Sequence, residues 1–188
     1  MNTFEKIKSG IPKTVSIPAG LEKLCHWTDT HGYPISGCFE LSADDGETIT
    51  SWMGFDKVSD RFGVFGNGPD GSLYAFWIND NADQKIVHLG SEGEELYILA
   101  EDFTDFLRLL AIGYDEIGFS DMDMTLEEWN DILDVEKDYG ANPEFREWVI
   151  SEFEVSIPER GHEIADMNDR SFAEWIENQL EKYTSAAD

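Results

Sequence analysis

The fold is decided by residues 62–111, FGVFGNGPDGSLYAFWINDNADQKIVHLGSEGEELYILAEDFTDFLRLLA. Three apolar runs, at 72–78, 85–89 and 95–99, are separated by turns rich in glycine, asparagine and aspartate. Such short connections join antiparallel strands, because a parallel return needs a dozen or more residues. The run Ser72–Ile78 is apolar on both of its faces, so we predict an inner strand that is covered on each side.

A helix is predicted directly after these strands. Its apolar positions recur at helical spacing, at Phe103, Phe106, Leu107, Leu110 and Ala111. Acidic residues crowd its first turns, where the helix dipole favours negative charge. We expect the helix to begin near Ala100 or Glu101, to end near Gly113, and to bury its apolar stripe in the core.

The segments before the meander also suggest strands. The runs 37–42 (GCFELS) and 48–53 (TITSWM) flank an Asp-Gly pair, a pattern typical of a hairpin. A further strand is expected within 58–65. The sheet should therefore have five or six strands, most of them antiparallel.

After Tyr114 the pattern becomes helical. Thr125 and Glu128 form a capping box that should start a helix over 126–139. Asn142 should cap a helix over 143–153, with Pro143 in its first position. A last helix is expected to open at Asp169 or Ser171.

Together these patterns predict an α+β fold, with a mostly antiparallel sheet packed against helices and a helical C-terminal extension. We expect one domain over 1–188, with a sheet-rich core at about 35–114 and an acidic helical part at about 120–184. A separate C-terminal domain is the alternative.

The order of motifs resembles the SUKH superfamily. The similar residues are the turn 66–71 with the strand 72–77 after it, the segment 86–93, and the segment 99–111 with Asp-Phe-Leu at 105–107. The resemblance covers about 35–114, and its motifs mark a fold instead of an active site. The family contains fungal cell-wall-assembly regulators, the bacterial protein Syd and many toxin-immunity proteins, so the resemblance implies a non-catalytic protein-binding module.

The charge is strongly acidic. Forty Asp and Glu against thirteen Lys and Arg give a formal net charge of −27. Residues 115–138 hold ten acids and one lysine. Nucleic acid is excluded as a direct ligand, because binding phosphate requires positive charge. A basic protein is the natural electrostatic partner, although acidity that serves only solubility remains the alternative.

The sequence does not predict a signal peptide, a membrane segment or a disulfide framework. The first thirteen residues are polar instead of resembling a signal peptide, and no apolar run is long enough to insert into a membrane. Cys25 and Cys38 do not make a disulfide framework, so we expect a reduced, cytoplasmic protein.

No motif predicts catalysis, a cofactor or a metal. Cys25, His26, His31 and Cys38 lack the spacing of a zinc knuckle. The segment from 121 begins like a calcium loop but has Leu126 where glycine is required. The GxGxxG letters at 66–71 lead into a strand instead of a helix, so they indicate a turn. His88 is expected to be a packed histidine of the sheet.

The resemblance and the charge lead to one functional prediction. We expect an immunity protein that binds a cognate basic toxin, such as a nuclease, and covers its active surface. The predicted partner-binding residues are six acids and two tryptophans: Asp115, Glu116, Asp121, Asp123, Glu127, Glu128, Trp129 and Trp52. A solvated helix face for the acids and burial for Trp129 remain open, as does an intracellular regulatory or scaffold role. The sequence does not specify an oligomeric state.

Overall fold

The computed structural model describes residues 2–184. These residues form seven α-helices and a five-stranded antiparallel sheet, so the α+β prediction is confirmed. The helices are α1 (Thr3–Gly10), α2 (Ala19–His31), α3 (Thr48–Met53), α4 (Phe103–Leu110), α5 (Leu126–Leu133), α6 (Pro143–Phe153) and α7 (Ser171–Thr184). The strands are β1 (Glu40–Leu41), β2 (Phe62–Asn67), β3 (Leu73–Ile78), β4 (Gln84–Leu89) and β5 (Tyr97–Ala100).

The sheet is a simple meander in which every strand pairs with its neighbours in sequence. The central strand β3 pairs with β2 on one side and with β4 on the other. Its side chains alternate between two apolar clusters, with Tyr74 and Phe76 in one and Ala75 and Trp77 in the other. The prediction of an inner strand covered on both faces is therefore confirmed.

Helices cover both faces of this sheet. On the first, which we call the α2 face, residues of α1, α2, α4 and α6 pack against the strands. On the second, the α7 face, residues of α3 and α7 do so, with Ile49, Phe172 and Trp175 among them. The C-terminal helices α6 and α7 thus pack against opposite faces of the sheet.

The predicted hairpin over 37–53 is wrong. Thr48–Met53 is the helix α3, and the preceding segment contributes only the two-residue strand β1, which pairs with β2. The Asp45-Gly46 pair lies in the turn before this helix instead of closing a hairpin. Asp44 Oδ1 accepts hydrogen bonds there from Gly46 N at 3.0 Å and Thr48 Oγ1 at 2.7 Å. Ile49 and Met53 lie four residues apart and are both buried.

The predicted helix ends were accurate at some positions and not at others. Asn142 caps α6 over the predicted residues, with its side chain accepting from Phe145 N. The capping box at Thr125 starts α5 as predicted, but the helix ends at Leu133 instead of 139. Asp134 adopts a left-handed backbone there, at φ +57°, which stops the helix. Helix α4 starts at Phe103 after its cap Asp102, two or three residues later than expected.

Candidate functional site

The capping box of α5 commits one predicted interface acid to the fold. Glu128 Oε2 accepts from Thr125 N at 2.8 Å, and Glu128 N donates to Thr125 Oγ1 at 3.2 Å. The same carboxylate accepts from Arg160 Nη1 at 2.8 Å. Hydrogen bonds from the Thr125 backbone and from Arg160 hold the pKa of Glu128 below its usual range. Glu128 therefore anchors α5 to the segment before α7.

The side chains of Trp129 and Asp115 are joined by a hydrogen bond. Trp129 is half-buried against the α2-face cluster, and its indole N–H donates to Asp115 Oδ1 at 2.8 Å. Ser120 Oγ donates to the same oxygen at 3.2 Å. These contacts attach the underside of α5 to the connection from α4, so the structure places Trp129 and Asp115 in a supporting position.

Glu116 lies partly buried beside other acids. Burial raises its pKa above the usual range, and the nearby carboxylates of Asp70 and Asp115 raise it further. Its Oε1 atom is buried and accepts no hydrogen bond from the residues the structure describes. The carboxylate of Glu116 is therefore destabilised in its ionised form.

The remaining predicted acids are exposed. Asp121 Oδ1 accepts from Asp123 N at 3.0 Å, and Asp123 Oδ1 lies 3.3 Å from His162 Nδ1. Glu127, in the first turn of α5, has no hydrogen bond or ion pair from its side chain within residues 2–184. Glu128 is exposed as well, so four of the six predicted acids present carboxylates to solvent, and Asp115 and Glu116 are partly buried.

Trp52 lies elsewhere. Its indole N–H donates to the carbonyl oxygen of Gly90 at 2.9 Å, and its ring packs against the cluster on the α7 face. Trp129 packs against the cluster on the α2 face. The two tryptophans predicted as interface anchors are thus on opposite faces of the sheet and do not share a surface.

A surface that the sequence did not predict lies directly after Asn130. Every residue from 131 to 139 is exposed, and we call this segment the arm. Among residues 2–184, six large apolar side chains are exposed, and four of these are in the arm: Ile132 (59%), Tyr139 (49%), Leu133 (37%) and Val135 (37%). The arm also carries four acids and one lysine.

Helical spacing was the reason that these apolar residues were missed. Ile132, Leu133 and Val135 fall within the helix predicted over 126–139 and fit an incomplete apolar stripe on it. The signal that points the other way is the interleaving of Asp131, Asp134, Glu136 and Asp138 with them. Carboxylates that interrupt the apolar positions make burial of such a stripe costly.

The side chain of Asn130 holds the backbone of the arm through hydrogen bonds. It is completely buried, and its Nδ2 donates to the carbonyl oxygens of Lys137 at 3.1 Å and Tyr139 at 3.0 Å. The backbone carbonyl oxygen of Asn130 accepts a hydrogen bond from Val135 N at 3.1 Å. These hydrogen bonds hold the backbone of the arm in a defined shape, and the four apolar side chains of the arm are exposed on it.

Two residues with potential catalytic chemistry, His88 and Cys25, are buried in the fold. His88 is fully buried, as predicted, and its Nδ1 donates to the Glu95 carbonyl oxygen at 2.7 Å. Burial lowers the pKa of His88, so the ring is neutral. Burial also raises the pKa of Cys25 to about 12, which keeps it a thiol and makes it a poor nucleophile or ligand.

The described residues hold no group of three or more His, Cys, Asp or Glu side chains arranged to bind a metal ion. Within the same residues, no helix has the length and apolar character required to cross a membrane. Comparison of the chain with family models, with curated proteins and with solved structures gives no significant match. The arm and the net charge are therefore the two features of the chain that bear on its function.

Proposed function

We propose that this protein is a non-catalytic binding module, an immunity protein that neutralises a basic toxin by covering its active surface. The observation that carries the proposal is the arm: four exposed apolar side chains surrounded by carboxylates in nine consecutive exposed residues. An apolar centre within a polar rim is typical of a protein–protein interface.

The exposed apolar residues argue against acidity as a device for solubility alone. Surface carboxylates improve solubility, but Ile132 and Tyr139 on the same surface reduce it. Clustering of such residues is explained when another protein covers them. The rigid support from Asn130 and Trp129 favours binding too, because a preorganised surface loses less conformational entropy on association.

The charge selects the kind of partner. A net charge of −27 opposes association of the chain with a second copy of itself and accelerates encounter with a basic protein. A nuclease toxin fits this requirement, because a surface that binds nucleic acid is itself basic. Occlusion of that surface would block substrate entry without any chemistry by the immunity protein.

The test is capture of the product of the neighbouring gene, with protection of cells that express its toxic domain. The wild-type chain should bind that product and protect, and raised salt should weaken binding. The double variant Ile132→Ser with Tyr139→Ser should weaken binding by at least about tenfold, since central apolar residues dominate interface energies. Tyr183→Ser, on the opposite α7 face, is the matched control and should bind like the wild type.

Three results would contradict the proposal. Equal binding by the arm variant and the wild type would place the interface elsewhere. Absence of both capture and protection would remove the immunity role. Selective capture of a host regulatory protein, with no protection against the toxin, would favour the scaffold role instead.

A further inference from the structure

A groove lies between the arm and α6, next to the proposed interface. Its volume is about 480 Å³. Its apolar lining includes Ile112 from the connection after α4, Leu126 from α5 and Pro143 from α6. Three exposed carboxylates, of Glu127, Asp138 and Glu159, also line it. The groove thus combines an apolar lining with acidic groups open to solvent.

We propose that this groove takes one long basic side chain of the partner protein, an arginine or a lysine. The inference rests on the proposed function, because it names the chemistry that a basic partner would insert beside the arm. Arginine and lysine have apolar stems and charged ends, so the stem fits the apolar lining and the charged end fits the carboxylates. An arginine can also engage a carboxylate with two hydrogen bonds.

The carboxylates have no competing cation bound to them. The side chains of Glu127, Asp138 and Glu159 form no ion pair within 4.0 Å among residues 2–184. Arg146 lines the groove, but its Nη1 donates to the Ala111 carbonyl oxygen at 3.2 Å. Lys137 also lines the groove and is exposed, so its charge opposes a cationic guest to some extent.

The wall of the groove is held in place before any partner arrives. Asn130 fixes the backbone of Lys137, and Ala141 N donates to the carbonyl oxygen of Asp138 at 3.0 Å. On the other side, Asn142 caps α6 and its Nδ2 donates to the Pro34 carbonyl oxygen at 3.0 Å. A preformed groove costs little to occupy.

The test is an NMR titration of the full chain with acetyl-arginine amide. The neutral isostere acetyl-citrulline amide is the control ligand, and acetyl-lysine amide compares the two basic ends. Arginine should give saturable shifts at the backbone amides of Ala141, Asn142 and Arg146. Citrulline should bind at least about tenfold more weakly, because its neutral ureido group cannot form an ion pair with the carboxylates. Equal responses to arginine and citrulline would overturn the inference.

Variants locate the effect in the groove. Glu127→Gln with Asp138→Asn should weaken arginine binding by about fivefold or more, because both removed charges line the groove. Asp131→Asn with Glu136→Gln makes the same change in net charge on arm residues that do not line the groove, and should weaken it less than about twofold. Lys137→Gln should tighten binding. Equal weakening by both double variants would overturn the inference, since binding would then follow net charge alone.

The two proposals fail in different ways. Capture of the neighbouring gene's product without groove shifts by arginine would overturn this inference and leave the immunity role standing. Groove shifts without capture would contradict the immunity role and support the preference of the groove for basic side chains.

Discussion

The helices α4 and α5 have the same length and start in the same way, yet α4 buries its apolar residues and α5 leaves two of its four exposed. Each has eight residues, and in each the cap side chain accepts from the backbone N–H three residues on. Helix α4 buries Phe103, Phe106, Leu107, Leu109 and Leu110. The one buried residue of α5 is Asn130, while Ile132 and Leu133 are exposed.

This difference separates two roles of an apolar residue, namely stabilising the fold when it is buried and binding a partner when it is exposed. The caps that start a helix are local and are equally good in both cases. What decides the fate of the apolar side chains is whether an apolar surface lies opposite them, and α4 faces the aromatic side chains of the sheet. Helix α4 therefore contributes to stability, and we interpret α5 with its arm as a surface for binding.

The largest expected effect comes from emptying the α4 core. Phe106→Ala should destabilise the fold by about 3–5 kcal/mol, because it leaves a cavity among Phe39, Phe65 and Tyr74. The matched change Ile132→Ala in α5 should change the free energy of unfolding by less than about 0.5 kcal/mol. Urea unfolding monitored by tryptophan fluorescence measures both. Similar losses for the two variants would contradict the distinction between the helices.

The second effect comes from Asn130, the buried polar residue of α5. Asn130→Ala should cost about 1–3 kcal/mol, because the carbonyl groups of Lys137 and Tyr139 lose their donor. The arm should then open and become susceptible to trypsin after Lys137, the one trypsin site between Arg108 and Arg146. Limited digestion followed by mass spectrometry tests this. An arm that stays resistant to cleavage in the variant would show that other contacts hold it.

The caps should give a third, smaller effect that is the same in both helices. Asp102→Ala and Thr125→Ala should each cost about 1 kcal/mol, since each removes one bond to an otherwise unpaired N–H. Chemical denaturation of the two variants side by side measures the difference. A loss of stability for Asp102→Ala but not for Thr125→Ala would contradict this. It would show that the start of α5 depends on its tertiary contacts instead of on its cap.

The smallest expected effect comes from a residue in the connection between the two helices. Unlike the variants above, this one should stabilise the fold. Glu116→Gln should stabilise the fold at pH 7 by up to about 1 kcal/mol, because a buried carboxylate oxygen without a donor is replaced by a neutral group. The folded-state pKa of Glu116 is raised, so the wild type gains stability as the pH falls through that pKa. The advantage of the variant should therefore vanish below the unfolded value, near pH 4. Unfolding midpoints between pH 4 and 8 test this, and an advantage that grows on acidification would contradict it.

The meander was predictable because its signals are local and agree with one another. The β3 run is apolar on both faces and bounded by glycine turns, so its central position follows from the sequence. The caps at Thr125 and Asn142 were predictable for the same reason, since a cap requires one side chain and one nearby N–H.

The errors arose where two local patterns compete. The segment 48–53 begins with three β-branched residues and follows an Asp-Gly pair, which favours a hairpin, yet Ile49 and Met53 also fit one face of a short helix. The α7-face cluster, which both side chains join, decides between them. The arm was missed because the left-handed turn at Asp134 leaves no sequence signal as strong as a glycine.

The order of the elements along the chain has a consequence for synthesis on the ribosome. The meander pairs only consecutive strands, so the sheet can assemble as each strand emerges. The α7 face, however, is covered in large part by a helix that follows every other described element. Trp77 and its neighbours on that face therefore stay open to water until residues 171–184 have emerged. A nascent chain stalled before that point displays an apolar sheet face, which is the form that a chaperone would recognise.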